Sequence, residues 1–291
     1  MKPRGAFCYN RGVIIDFHTH IFSPRIKQGR SKYIERDACF AALYSDAKAR
    51  LATADELIES MDRDGVDVSV ALNIGWTSHE LCVETNDYIL ESINRYQKRL
   101  VGFGAVQPNS SDLALKEIER CAKAGMRGIG ELRPDIQKLD IKNIRLIKPF
   151  IDEIKKHNLI LLTHSSEPVG HGYQGKGAVT PDVLYSLISD FPGLTLVCAH
   201  WGGGLPFYAL MPEVRRAMGN VFFDTAASPF LYTPKIHEQV IQLVGAKKIL
   251  FGSDYPLMGQ KRVFGEITSL DLPEETKNLI LAGNAERLLG L

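Results

Sequence analysis

The sequence predicts an α/β chain folded as one (β/α)8 TIM barrel, a single domain over residues 1–291. Three observations predict it. Short, β-branched apolar runs alternate with longer amphipathic stretches. Eight such pairs fit the length of one α/β barrel. No Gly-x-Gly-x-x-Gly follows any early run, which argues against an open doubly wound sheet. The Gly202-Gly203-Gly204 run lies far downstream and lacks that spacing.

The strand-like runs are 13–17, 67–72, 100–106, 127–132, 159–163, 194–199, 221–225 and 248–253, none with a proline. The first runs on to His20. Between them, Thr53-Ala-Asp-Glu56 reads as a capping box opening a helix to Arg63. Apolar residues spaced by three and four predict helices over 80–97, 110–124, 143–157, 181–190, 206–218 and 234–244. Thr180-Pro181 is a cap and first-turn pair. Residues 21–52 and 165–179 are long connections leaving strand C-termini, the face where barrel enzymes work.

Bulk composition narrows the function. Net charge is +1 with 45% hydrophobic and 24% charged residues, so nothing favours nucleic acid or an anionic membrane as partner. No apolar run reaches the ~20 residues of a spanning helix. The opening Met-Lys-Pro-Arg-Gly-Ala-Phe-Cys has basic residues without an apolar stretch after them, so no signal peptide is expected. Five scattered cysteines, never Cys-x-x-Cys, fit reduced thiols in a cytoplasmic protein, with Cys198 in the core.

The chemistry-bearing residues fall at strand ends. His18 and His20 are two apart, on one face of a strand, and make half of a metal site. His164 ends the fifth run, His200 the sixth and Asp254 the eighth, while Glu131 sits on the fourth. Strand C-termini in a barrel converge, so these donors meet. Asp254 is also readable as a helix N-cap, and Glu131 as a metal ligand, a substrate contact or an ion-pair member. His79, His157 and His237 read as surface residues; His171, in the loop after His164, is a candidate substrate contact. Arg133 can clamp a carboxylate, and Trp201 can wall a planar substrate or pack beneath the rim. Asp16 shares the parity of His18 and His20 and can orient ligands or pair with an internal cation. Arg25 and Lys27 read as solvated.

The set His18-x-His20, His164, His200 and Asp254, in this strand order, resembles the amidohydrolase superfamily of metal-dependent hydrolases. Ala199-His200-Trp-Gly-Gly-Gly, Gly252-Ser-Asp254-Tyr-Pro256 and Gly283-Asn284-Ala285-Glu-Arg287 resemble its amidohydrolase-related branch (amidohydrolase 2), which includes aminocarboxymuconate semialdehyde decarboxylase-like enzymes. The resemblance implies that His18, His20, His164 and Asp254 bind one divalent metal, usually zinc, with manganese, iron or cobalt as alternatives. It implies that His200 is the catalytic acid/base or the carbonyl polariser beside it. Glu131 stands where many members carry a carboxylated lysine, so a second metal held by Glu131 and His200 is left open. The expected activity is hydrolysis of an amide, ester or lactone carbonyl of a small molecule by metal-activated water, with Asp254 taking the proton. The alternative is nonoxidative decarboxylation of a small unsaturated or aromatic acid. A homodimer is left open.

Overall fold

The computed structural model describes residues 12–291. Cys8 and the basic opening residues lie outside the described part. Eight parallel strands stand in sequential order: β1 (Ile15–His20), β2 (Val68–Leu72), β3 (Leu100–Gly104), β4 (Gly128–Leu132), β5 (Ile160–Thr163), β6 (Leu196–Cys198), β7 (Val221–Asp224) and β8 (Ile249–Leu250). The chain closes the ring through main-chain bonds. Phe17 N–H donates to Phe251 O at 2.7 Å, and Asp254 N–H donates to His18 O at 2.9 Å. With helices between the strands this is a (β/α)8 barrel, as the alternating runs predict.

Apolar periodicity places most helices where expected, but the 206–218 stretch splits into a 3-10 segment, Leu205–Leu210, and a short helix, Pro212–Ala217, because Met211 between them is extended ahead of Pro212. Ala54–Asp64 opens on Thr53 with a complete capping box, and Pro181–Asp190 follows Thr180. Ile15, Phe17, Val70, Leu72, Phe103 and Leu162 pack in one buried cluster, joined by Ala282, Ala285 and Leu289 from the C-terminal helices.

Three further expectations change. β8 is shorter than the 248–253 run, because Phe251 N–H turns to Ile280 O and Ser253 N–H to the Asp16 carboxylate. The 21–52 connection is not bare loop: it folds as three short helices, Pro24–Gln28, Arg30–Arg36 and Ala38–Tyr44. Ser23 and Asp37 cap two of them, and Phe22, Phe40 and Tyr44 pack with Trp76 in a separate aromatic cluster. His237 is buried, not on the surface: its ring meets the Trp201 indole edge-on at 5.1 Å. His79 and His157 are half-buried. Cys39, Cys82, Cys121 and Cys198 are buried and free. Among the described residues, no helix is long and apolar enough to cross a membrane.

Candidate metal centre

Pairing register shifts in two strands: between Asp16 and Thr19 in β1 and between Ile129 and Leu132 in β4. These are the strands that carry His18, His20 and Glu131, and such irregularities re-aim side chains at strand ends. The shift also explains Asp16. Simple alternation does not cross it, so Asp16 does not reach the imidazoles, and among the described residues it has no cationic partner. It accepts from Ser253 Oγ at 2.6 Å, Ser253 N–H at 2.9 Å and Gln260 Nε2 at 2.8 Å. Burial pushes its carboxyl up to about 6.

His18 Nε2 and His20 Nε2 face each other at 3.0 Å. Asp254 Oδ1 lies 3.3 Å from His20 Nε2 and 3.9 Å from His18 Nε2. Glu131 Oε2 stands 3.8 Å and 4.0 Å from the same two nitrogens. The other Glu131 oxygen, Oε1, is 2.9 Å from His164 Nδ1 and 3.5 Å from His200 Nε2. The structure therefore brings His18, His20, Glu131, His164, His200 and Asp254 to one mouth of the barrel.

Asp224, at the end of β7, is the member that sequence reasoning missed. Its Oδ2 accepts from His18 Nδ1 at 2.8 Å, and its Oδ1 accepts from the His200 backbone N–H at 2.9 Å. The signal was present: Val-Phe-Phe-Asp224 ends a strand at the same station as the other candidates. A carboxylate on the far nitrogen of a ligating histidine fixes its tautomer. With the His18 Nδ1 proton given to Asp224, the Nε2 lone pair points at His20 Nε2. Two imidazole lone pairs that close repel unless a cation or proton lies between them.

The donor set fits a divalent ion on that ground. His18, His20 and Asp254 form one group of donor atoms within 4.8 Å of one another, and His18, Glu131 and His200 form another. Both groups draw on His18, whose single free lone pair serves one ion, so they are not two independent sites. Electrostatics agrees. Burial alone would lower the His18 imidazolium, but the Asp224 carboxylate, then Glu131 and Asp254, raise it to about 10. Burial raises Asp254, yet His20 and the neighbouring imidazoles bring it to about 2. Burial works against the charged form of Glu131 too, and His164 and His200 still hold it well below the carboxylate range. The cage calls for positive charge at its centre.

His200 donates its backbone N–H to Asp224 and sets Nδ1 3.1 Å from Ala226 O, which leaves Nε2 facing the cavity side. Burial lowers His200, but the Glu131 hydrogen bond and the Asp254 charge raise it to about 9. His164 is brought down to about 4 by burial and by the Arg133 charge.

A cavity of about 430 Å³ opens over this cage. Its polar walls include Arg133 and, from the 165–179 loop, His171 and Tyr173; its apolar walls include Tyr44, Ile74 and Phe230. Arg133 is 2% exposed, with Nε and Nη2 each 3.3 Å from Asp135. A glycine stands against it of necessity: a Cβ on Gly75 would lie 2.6 Å from Arg133 Cβ. His171 is exposed at the cavity mouth. Trp201 is not a cavity wall. It is fully buried and donates its indole N–H to Ser228 Oγ at 2.9 Å. Arg25 is exposed beside Glu84, and Lys27 pairs with Glu56.

Residues 15–291 match the amidohydrolase family. The chain belongs to that family. It is 24% identical to 2-amino-3-carboxymuconate-6-semialdehyde decarboxylase of Dictyostelium discoideum, over 97% of this chain and 92% of the relative. It is 24% identical to 6-methylsalicylic acid decarboxylase of Penicillium expansum, over 64% of this chain and 68% of the relative. Among solved structures, 5-carboxyvanillate decarboxylase of Novosphingobium aromaticivorans, complexed with manganese and 4-hydroxy-3-methoxy-5-nitrobenzoic acid, superposes with a TM-score of 0.80. It shares 18% identity over 96% of each chain.

These relatives correct the expected reaction. The amidohydrolase-family chain is an enzyme, but the curated relatives that align with it are decarboxylases, so carbonyl hydrolysis does not stand as its activity. A divalent cation suits both the donor set and the manganese of the related structure; nothing singles out zinc.

Proposed function

We propose that this protein is a metal-dependent, nonoxidative decarboxylase of a small unsaturated or aromatic carboxylic acid. The observation that carries the reading is the alignment with a semialdehyde decarboxylase over nearly the whole of both chains. The geometry supports it in three ways. The cavity has the volume of a site for one small molecule. Its apolar walls suit a planar carbon skeleton. Its one deeply buried guanidinium, Arg133, suits an anion.

His18, His20 and Asp254 would hold the cation, with a further donor from the Glu131–His164 pair. Once bound, a divalent ion polarises the substrate oxygens and disperses negative charge. The residues of the chain do the rest. Arg133 orients an anionic substrate oxygen. The apolar walls exclude water from the reacting carbon. His200 Nε2 then gives its proton to the carbon that carries the carboxylate. The carbon–carboxylate bond breaks, its electron pair goes to the new carbon–hydrogen bond, and CO₂ leaves. Solvent returns a proton to His200. Glu131 and Asp254 beside His200 favour its protonated form. The buried, unpaired cysteines support a reducing, cytoplasmic setting.

The test is CO₂ release from a panel of hydroxybenzoates and unsaturated dicarboxylates by protein loaded with manganese or zinc, run in D₂O. Deuterium at the vacated carbon supports the reading. Turnover of no acid in the panel, together with cleavage of a lactone or ester, overturns it.

A further inference from the structure

His200 opens an unusual piece of backbone. Five consecutive residues, His200 to Gly204, have positive φ, at 54°, 59°, 61°, 58° and 96°. In a left-handed turn a β-carbon crowds the following carbonyl oxygen; glycine escapes this, but His200 and Trp201 do not. Other residues keep such a conformation only where their surroundings fix it. We infer that Trp201 is a positioning residue for His200: its indole, tethered to Ser228, holds the turn left-handed and so fixes the His200 ring at the cage. The role deepens the decarboxylase reading, because it bears on catalysis only if His200 is the acid.

One short stretch receives both side chains. The His200 backbone N–H donates to Asp224 Oδ1 at 2.9 Å, and His200 Nδ1 donates to Ala226 O at 3.1 Å. The Trp201 indole N–H donates to Ser228 Oγ at 2.9 Å. Residues 224–228 are braced in turn. Ala226 N–H donates to Asp224 Oδ1 at 3.1 Å, and Ser228 N–H to Thr225 O at 3.0 Å. Two neighbouring side chains of the turn thus clasp one segment at the exit of β7. Backbone relaxing to the right-handed form would swing the indole off Ser228 and draw His200 away from Ala226 with it.

The indole is held on a second side by contact alone. His237, from the helix Lys235–Val244, packs its ring against Trp201 with the planes at 80°. Neither His237 nitrogen has a hydrogen-bond partner among the described residues, and Glu266 Oε2, 3.8 Å from Nε2, is beyond hydrogen-bond reach. The indole has one donor, and Ser228 takes it. A tryptophan that only filled the core would need this bond for stability and not for turnover.

The experiment removes one hydroxyl. In Ser228→Ala the indole loses its acceptor while every donor of the cage remains. In zinc-loaded protein with ¹⁵N-labelled histidine, the Nδ1 proton of His200 is assigned by its absence from His200→Asn. Its exchange with solvent is expected to be slow in the wild type and roughly tenfold faster in Ser228→Ala. In manganese-loaded protein, kcat on an accepted acid is expected to fall by roughly 10- to 100-fold, with KM and bound metal unchanged. Trp201→Phe keeps a ring in the core and removes the same N–H. It is expected to show the same changes, and the double variant no more than either single one, with thermal melts confirming that all three fold. Unchanged Nδ1 exchange or unchanged kcat in Ser228→Ala overturns the inference. So do losses that multiply in the double variant, which report two separate kinds of damage. If the wild type turns over no acid, the decarboxylase reading fails, while the Nδ1 exchange still decides whether Trp201 positions His200.

Discussion

The cage and the roof of the cavity are built on different principles. The cage sits on strand ends. His18, Glu131 and Asp224 are each tied to a second element by a buried hydrogen bond of 3.0 Å or less. The roof comes from the 38–50 and 165–179 segments, with exposed residues such as His171 beside buried ones such as Tyr44. One long side chain joins the two regions: Arg133 starts after β4, and its partner Asp135 accepts from Ala178 N–H in the roof at 3.2 Å. The contrast teaches a division of labour. Chemistry needs positions held to fractions of an ångström, which strands supply; selectivity is left to segments that can vary without disturbing them.

The comparison can be broken in order of expected effect. His20→Ala removes one of the two facing imidazoles, so bound metal and turnover disappear together, as read by elemental analysis and CO₂ release. Normal metal content in that variant would remove the cage from its role. His200→Asn spares the three donors around His20, so metal stays while kcat falls by roughly 10²- to 10⁴-fold, the usual worth of a positioned acid. Asp224→Asn loosens His18 without deleting a donor, and a chelator competition should show affinity down roughly 10- to 100-fold. Arg133→Lys, in the link between cage and roof, should raise KM for an acid about tenfold with little change in metal content, because a point charge replaces a two-pronged donor.

The smallest effect is on pH. Burial pushes Asp135 up, but the Arg133 guanidinium outweighs it and holds the carboxyl below its ordinary 3.8. A lowered folded value stabilises the protein above the unfolded one, so this contribution is complete above about pH 4 and fades as pH falls through the folded value. The protection factor at Ala178, which is the exchange rate corrected for its intrinsic pH dependence, should therefore fall only in acid. A fall in protection near neutrality would place the roof tie elsewhere.

The strands were legible because each is a short apolar run whose length and composition leave few alternatives. The candidate ligands were legible because β1, β4, β5, β6 and β8 each carry a metal-binding side chain type in or within a few residues of their C-terminal ends. Asp224 escaped because Phe-Phe-Asp-Thr shows no spacing partner; its role exists only once β7 stands near β1. The helices over 24–44 escaped because they are short, and their aromatic contacts to Trp76 come from distant sequence. His237 escaped because one histidine on a helix does not reveal which face the helix buries. Asp16 misled because alternation was carried across a register shift that local sequence does not mark.

The Gly202-Gly203-Gly204 turn bears on how this scaffold can be re-engineered. A Cβ on Gly203 would stand 2.3 Å from the Ser166 carbonyl oxygen, whereas one on Gly172 would meet nothing within 4 Å. A combinatorial library aimed at new acids should spend its diversity on 171–174 and 45–50 and keep the triple glycine constant. Variants recruited from the first set would inherit a working reaction centre, while those from the second would be discarded at the folding step.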